Sequence, residues 1–81
     1  MNDPDITLDV RGMAPPEPLE HCLEALSTLP AGRRLRMRID REPYPLYQML
    51  DRDGYARETR YEQTHYLVTI WRDAPANSGK P

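Results

Sequence analysis

Cys22 is the only thiol in this 81-residue chain, so any sulfur-carrying or redox nucleophile must be that residue. A thiolate does such work only when it is exposed and acidified by its surroundings. Cys22 lies three residues after Leu19 and four before Leu26, on an apolar helical stripe, where a cysteine behaves as a small buried hydrophobe. A second candidate is the pair Asp9 and Arg11 beside Gly12. Arg11 and free N–H groups at a following helix start could hold a carboxylate or phosphate. Against that, Pro15, Pro16 and Pro18 remove three donors, and Asp9 can neutralise Arg11 in a salt bridge that fixes the turn. A third is the row Arg34, Arg36 and Arg38, which alternate on one face of a strand. With Arg57 or Arg60 and Trp71 or His65 on neighbouring strands, they could form a single-stranded RNA platform. The competing account is a solvated face whose arginines pair with Asp9, Glu58 and Glu62. A formal charge of −2 and the lack of an RNA-binding aromatic motif favour that account, and nucleic acid is not expected as a partner.

The two histidines, His21 and His65, have no His-x-x-x-His or Cys-x-x-Cys spacing around them. Adjacent on a helix, His21 and Cys22 point about 100° apart and cannot share an ion. Glu17, His21 and Glu24 share a helix face at spacings of four and three, the pattern of a solvated surface. No metal site is expected. The chain has no glycine-rich phosphate loop and no serine or cysteine placed with a base, so neither a cofactor nor an enzymatic activity is expected. Tyr44 and Tyr47, beside Asp40, Arg41 and Glu42, could line a small pocket or staple a helix to the sheet, and the staple is the expectation.

The elements that must position these residues follow from periodicity. Ile6, Leu8 and Val10 alternate with Thr7 and Asp9, giving a strand over 6–10. Gly12 permits a positive φ at the turn, Pro16 suits a first helical position and Glu17 complements the helix dipole. Leu19, Cys22, Leu23, Leu26 and Leu29 form the buried stripe of a helix over 16–29, which Pro30-Ala31-Gly32 ends. Arg34 to Ile39 alternates strictly, with Leu35, Met37 and Ile39 inward. Asp40 is expected to cap the next turn, and Pro43 and Pro45 lead into a helix over 44–53 with Leu46, Met49 and Leu50 inward and Gly54 at its end. Strands over 55–61 and 65–72 close the chain around a turn at Glu62-Gln63-Thr64. The order β-α-β-α-β-β predicts an α/β (α+β) two-layer sandwich, with two helices on one face of a four-stranded mixed sheet and the other face open or covered by a partner. Residues 1–5 and 73–81 read as flexible tails around one domain at 6–72.

Composition bounds the class. Charged residues at 30% and hydrophobic ones at 38% suit a small soluble domain, and with no phenylalanine the core volume must come from Leu, Met, Ile, Val, Tyr and Trp71. No apolar run approaches the ~20 residues of a membrane span, and the acidic start Met1-Asn2-Asp3-Pro4-Asp5 lacks a secretory pattern. One cysteine excludes an internal disulfide and fits a reducing cytoplasm.

The run Leu8-Asp9-Val10-Arg11-Gly12-Met13, followed by Pro16-Glu17-Pro18, resembles the opening motif of the TusA/SirA-like sulfur carriers, whose element order is the one read here. Their motif has Asp-x-Arg-Gly, two residues, then a cysteine immediately before Pro-x-Pro. Asp9, Arg11, Gly12, Pro16 and Pro18 match, whereas the cysteine position is Pro15. The chain resembles more closely a sister family, the domain of unknown function 2249, which also looks like Asp40-Arg41-Glu42-Pro43, Pro45-Leu46 and the closing hairpin. The resemblance covers about residues 6–72. Similar domains occur beside proteins of nitrogen-oxide and redox metabolism, so it implies that setting. It implies no carrier role at Pro15, because proline has no thiol to hold a persulfide.

The expected function is therefore a non-catalytic binding or protein-interaction domain acting through Asp9, Arg11, Gly12, Met13, Pro15, Pro16, Glu17 and Pro18, with Met13, Ala14 and Pro15 as an apolar lip. The expected partner is another protein, met as a monomer or weak homodimer and away from membranes. The alternatives are a sulfur or redox relay using Cys22, and RNA binding through Arg34, Arg36 and Arg38.

Overall fold

A computed structural model describes residues 5–72. Residues 1–4 of the N-terminal tail expected at 1–5, and the whole tail expected at 73–81, lie outside the described residues. Six elements follow in the expected order: β1 (Asp5–Asp9), α1 (Glu17–Ser27), β2 (Arg34–Ile39), α2 (Tyr44–Asp53), β3 (Tyr55–Glu62) and β4 (His65–Arg72). They make one four-stranded sheet in the order β1-β2-β4-β3. β1 and β2 pair in parallel, while β4 runs antiparallel to both β2 and β3. The connection through α2 therefore skips one strand position, and the closing hairpin fills it.

Alternation sorts the side chains. Leu35, Met37 and Ile39 are buried on the face that α1 and α2 cover, with Val68 and Ile70 beside them and Val10 from the end of β1. Cys22 and Leu26 of α1 and Leu46, Tyr47 and Leu50 of α2 complete the core, an α+β two-layer arrangement. The open face carries Arg34, Arg36 and Arg38. Leu67 pairs with Arg38 on one side and Arg60 on the other, and it is buried although it points away from the helices. The aliphatic stems of its arginine neighbours account for that, because such stems cover apolar surface while the guanidinium stays wet.

Several boundaries differ from the sequence reading. Asp5 belongs to β1 and not to a tail, because its carboxylate takes Arg34 Nε at 3.0 Å and Arg36 Nη1 at 3.3 Å across the strand pair. Val10 lies just past β1 but still donates its N–H to the Arg38 carbonyl at 2.9 Å. Pro16 is the residue before α1, and Pro18 is the proline inside its first turn. The helix stops at Ser27 rather than at 29, since Leu29 precedes Pro30 and a residue before proline is pushed out of the helical region. The hairpin turns without Asn-Gly because Gln63 takes the positive φ of 62° that the reversal requires.

Candidate functional site

The Gly12 turn is built from its neighbours. Its φ is +81°, a left-handed value that glycine adopts freely. Its N–H donates to Asp40 Oδ2 at 2.6 Å, across 28 residues of sequence. Asp40 therefore does not cap α2, which begins without a side-chain cap. Parallel pairing brings the ends of β1 and β2 side by side, so the first residue after β2 meets the turn after β1. Asp9 and Arg11 lock the same turn: Arg11 Nε reaches Asp9 Oδ1 at 2.9 Å, Nη2 reaches Oδ2 at 2.7 Å, and the Arg11 N–H adds a third bond at 3.1 Å. The Arg11 guanidinium, helped by that backbone bond, holds the Asp9 carboxyl down at about 2.

The folded value of Asp9 lies below its unfolded one, so the pairing acts in full above about pH 4 and fades as pH falls through about 2. Carboxyl NMR titration of Asp9 is expected to show this low midpoint, and Arg11→Ala is expected to return it toward the usual carboxylate range. An unchanged midpoint in the variant would remove Arg11 as the cause.

Beside this turn lies a cleft of ≈ 540 Å³. One wall is Gly12 to Pro16 with Pro18 and Leu19, and the other is Ile39 to Pro43 with Pro45. Of the residues expected to bind, Gly12, Met13, Pro15, Pro16 and Pro18 line it, together with Ala14. Asp9, Arg11 and Glu17 do not: the first two are spent on each other, and Glu17 is exposed at the start of α1. Sequence reasoning missed the second wall. The available signal was the strand–helix–strand order, which sets the C-terminal ends of β1 and β2 together at the place where open α/β sheets take ligands.

The second wall is held from behind. Glu42 accepts the Tyr44 hydroxyl at 3.0 Å and the Tyr47 hydroxyl at 3.0 Å, and Tyr47 also meets Thr59 Oγ1 at 2.6 Å. The Arg57 guanidinium sits 4.1 Å from the centre of the Tyr47 ring and reaches Asp51 at 2.7 Å. Tyr47 is thus the expected staple, and Arg57 lies on the helix side, away from the arginine row. Tyr44 does line a pocket, one that shares Asp40, Arg41 and Glu42 with this cleft.

The other candidates are committed elsewhere. Arg34 and Arg36 share Asp5, and Arg38 binds Glu62 at 3.0 Å and His65 Nε2 at 3.0 Å. Of the three expected acidic partners only Glu62 serves this row, since Asp9 takes Arg11 and Glu58 takes Arg60. A phosphate would have to displace those carboxylates. Cys22 has 0% exposure, and burial pushes its thiol up to about 12. Among the described residues no three His, Cys, Asp or Glu side chains group as a metal site, and no helix is long and apolar enough to cross a membrane.

Comparison with known proteins agrees with this architecture. The family model of the uncharacterized conserved proteins DUF2249 matches residues 7–72. The crystal structure of a SirA-like protein from Desulfitobacterium hafniense superposes with a TM-score of 0.69 at 28% identity, covering 79% of this chain and 92% of that one. No curated protein matches the chain.

Proposed function

Since the chain belongs to the DUF2249 family of uncharacterized conserved proteins and has a SirA-like fold, we propose that it is a small non-catalytic binding domain whose cleft receives an apolar side chain of a partner protein. One observation carries this reading: the cleft wall is mostly apolar, and two of its three charged side chains already hold bonds within the protein. Asp40 holds the Gly12 N–H, and Glu42 holds two tyrosine hydroxyls. Met13, Ala14, Leu19, Ile39 and the prolines remain, with the exposed Arg41 as the third charged group. A small polar molecule is fixed in a pocket by a few convergent donors and acceptors, whereas here Asp40 and Glu42 bind the protein's own donors. Prolines on both walls hold them in place before binding, which lowers the ordering cost of association. The buried thiol and the proline at position 15 support a role without sulfur chemistry. The redox or nitrogen-oxide setting and a cytoplasmic location stay part of this proposal.

The test is selection of displayed random heptapeptides on the intact protein, followed by NMR titration with a synthesised winner. Enriched peptides are expected to carry Leu, Met or an aromatic anchor and to shift Met13, Leu19 and Ile39. Ala14→Arg puts a charge at an exposed rim position and is expected to weaken them at least about tenfold, the scale of a blocked anchor pocket. Equal affinity for the variant, or no enrichment at all, would refute the proposal.

A further inference from the structure

Tyr44 and Tyr61 are the only large hydrophobic side chains that the described residues leave exposed, each at 63%, and both line one groove. That groove, ≈ 520 Å³, shares Asp40, Arg41 and Glu42 with the apolar cleft. Tyr66 completes it, its ring 5.0 Å from that of Tyr61 and inclined at 61°. The chain has five tyrosines. Two already hold a cation of the protein's own, Arg57 at 4.1 Å over Tyr47 and Arg72 at 4.8 Å over Tyr55. The other three are the ones gathered here, and no described arginine lies over their rings. Asp40 and Glu42 add two carboxylates against one guanidinium, Arg41, leaving a local formal charge of −1. Both carboxylates keep acceptor capacity beyond the bonds they make, since an ionised carboxylate offers about four lone-pair sites.

We infer that the Tyr44–Tyr61–Tyr66 groove receives the cationic side chain, lysine or arginine, of the partner segment whose apolar residue enters the neighbouring cleft. The ring faces attract a cation through their quadrupoles, and the flanking carboxylates favour the same sign. The inference rests on the proposed docking function, because the two recesses share Asp40, Arg41 and Glu42 and a single segment passing over those residues would meet both. An apolar anchor beside a basic residue is thus the pattern that the surface selects.

The test uses the full chain and three probes followed by NMR: Nα-acetyl-lysinamide, its neutral isostere Nα-acetyl-norleucinamide, and tetramethylammonium chloride. Acetyl-lysinamide is expected to give saturable shifts at Tyr44, Tyr61 and Tyr66, at least about fivefold tighter than acetyl-norleucinamide, as one exposed cation–ring contact with carboxylate support provides. Tyr61→Ala, at an exposed strand position, is expected to abolish them, and Tyr44→Ala is the second variant should the first disturb the hairpin. Equal affinity for the neutral isostere would overturn the inference. Binding of tetramethylammonium without acetyl-lysinamide would also overturn it, in favour of a small-molecule ammonium site. Shifts of the cleft residue Met13 with norleucine alone would defeat the cation site while leaving the apolar cleft standing. Lysine-specific shifts at the tyrosines, with no peptide selected at the cleft, would do the reverse.

Discussion

Leu35→Ala is expected to remove about 2–5 kcal/mol of folding free energy, the cost of deleting a fully buried leucine and leaving a cavity. Leu35 has 0% exposure and sits between Ile6 on β1 and Ile70 on β4, on the face that the helices cover. A chain of this size holds only about 5–10 kcal/mol in total, so the loss is a large fraction of its stability. Urea denaturation followed by circular dichroism measures it. With a slope of about 1–2 kcal/mol per molar, the midpoint should fall by more than about 1 M. Arg36→Ala, one residue along and on the opposite face, is the control. It loses one of two arginines that share Asp5, a surface pairing worth at most about 1 kcal/mol. If Leu35→Ala cost no more than Arg36→Ala, the inward assignment of β2 would be wrong.

That contrast marks what periodicity can reveal. β2 was legible because each residue from Arg34 to Ile39 alternates in character, and one face meets a core while the other meets water. The helices were legible from their stripes, and α2 matched its expected bounds. The ends were less so: Leu29 fits the stripe of α1 by spacing, yet Pro30 takes it out of the helix. The candidate site was half legible. Pro15, Pro16 and Pro18 declare a rigid turn, and that turn is one wall of the cleft. The other wall depends on a bond between Gly12 and Asp40, 28 residues apart, and no local pattern encodes it. Asp40 read as a cap because aspartate before a proline-led helix is a common cap, and only the parallel pairing of β1 with β2 redirects it. The tyrosine groove was legible in part, since Tyr44 beside Asp40, Arg41 and Glu42 reads as a possible small pocket, but nothing in the sequence places Tyr61 and Tyr66 with them. Tyr44 on α2 and Tyr61 with Tyr66 on the hairpin come from two elements that meet only in the fold.

Native protein is expected to resist iodoacetamide at pH 8, whereas a Pro15→Cys, Cys22→Ala variant is expected to react more than about a thousandfold faster. Burial raises the Cys22 thiol to about 12, so near pH 8 only about one molecule in ten thousand carries the reactive thiolate. A thiol at the exposed Pro15 position has an ordinary value near 8.5 and is about one-quarter ionised at that pH. The ratio of those fractions alone exceeds about 10³, before the closed core slows the reagent further. Mass spectrometry of the alkylated product measures both rates, and native protein in denaturing urea should then label fully at Cys22. Fast labelling of the folded native chain would place Cys22 within reach of solvent and bring back the sulfur-relay reading. Slow labelling of the variant would mean that position 15 is shielded. Should both expectations hold, the scaffold will present a reactive sulfur at the mouth of its cleft as soon as one is supplied. The lack of a reactive sulfur at the cleft would then lie in the residue at position 15 and not in the fold, as the proposed binding role requires.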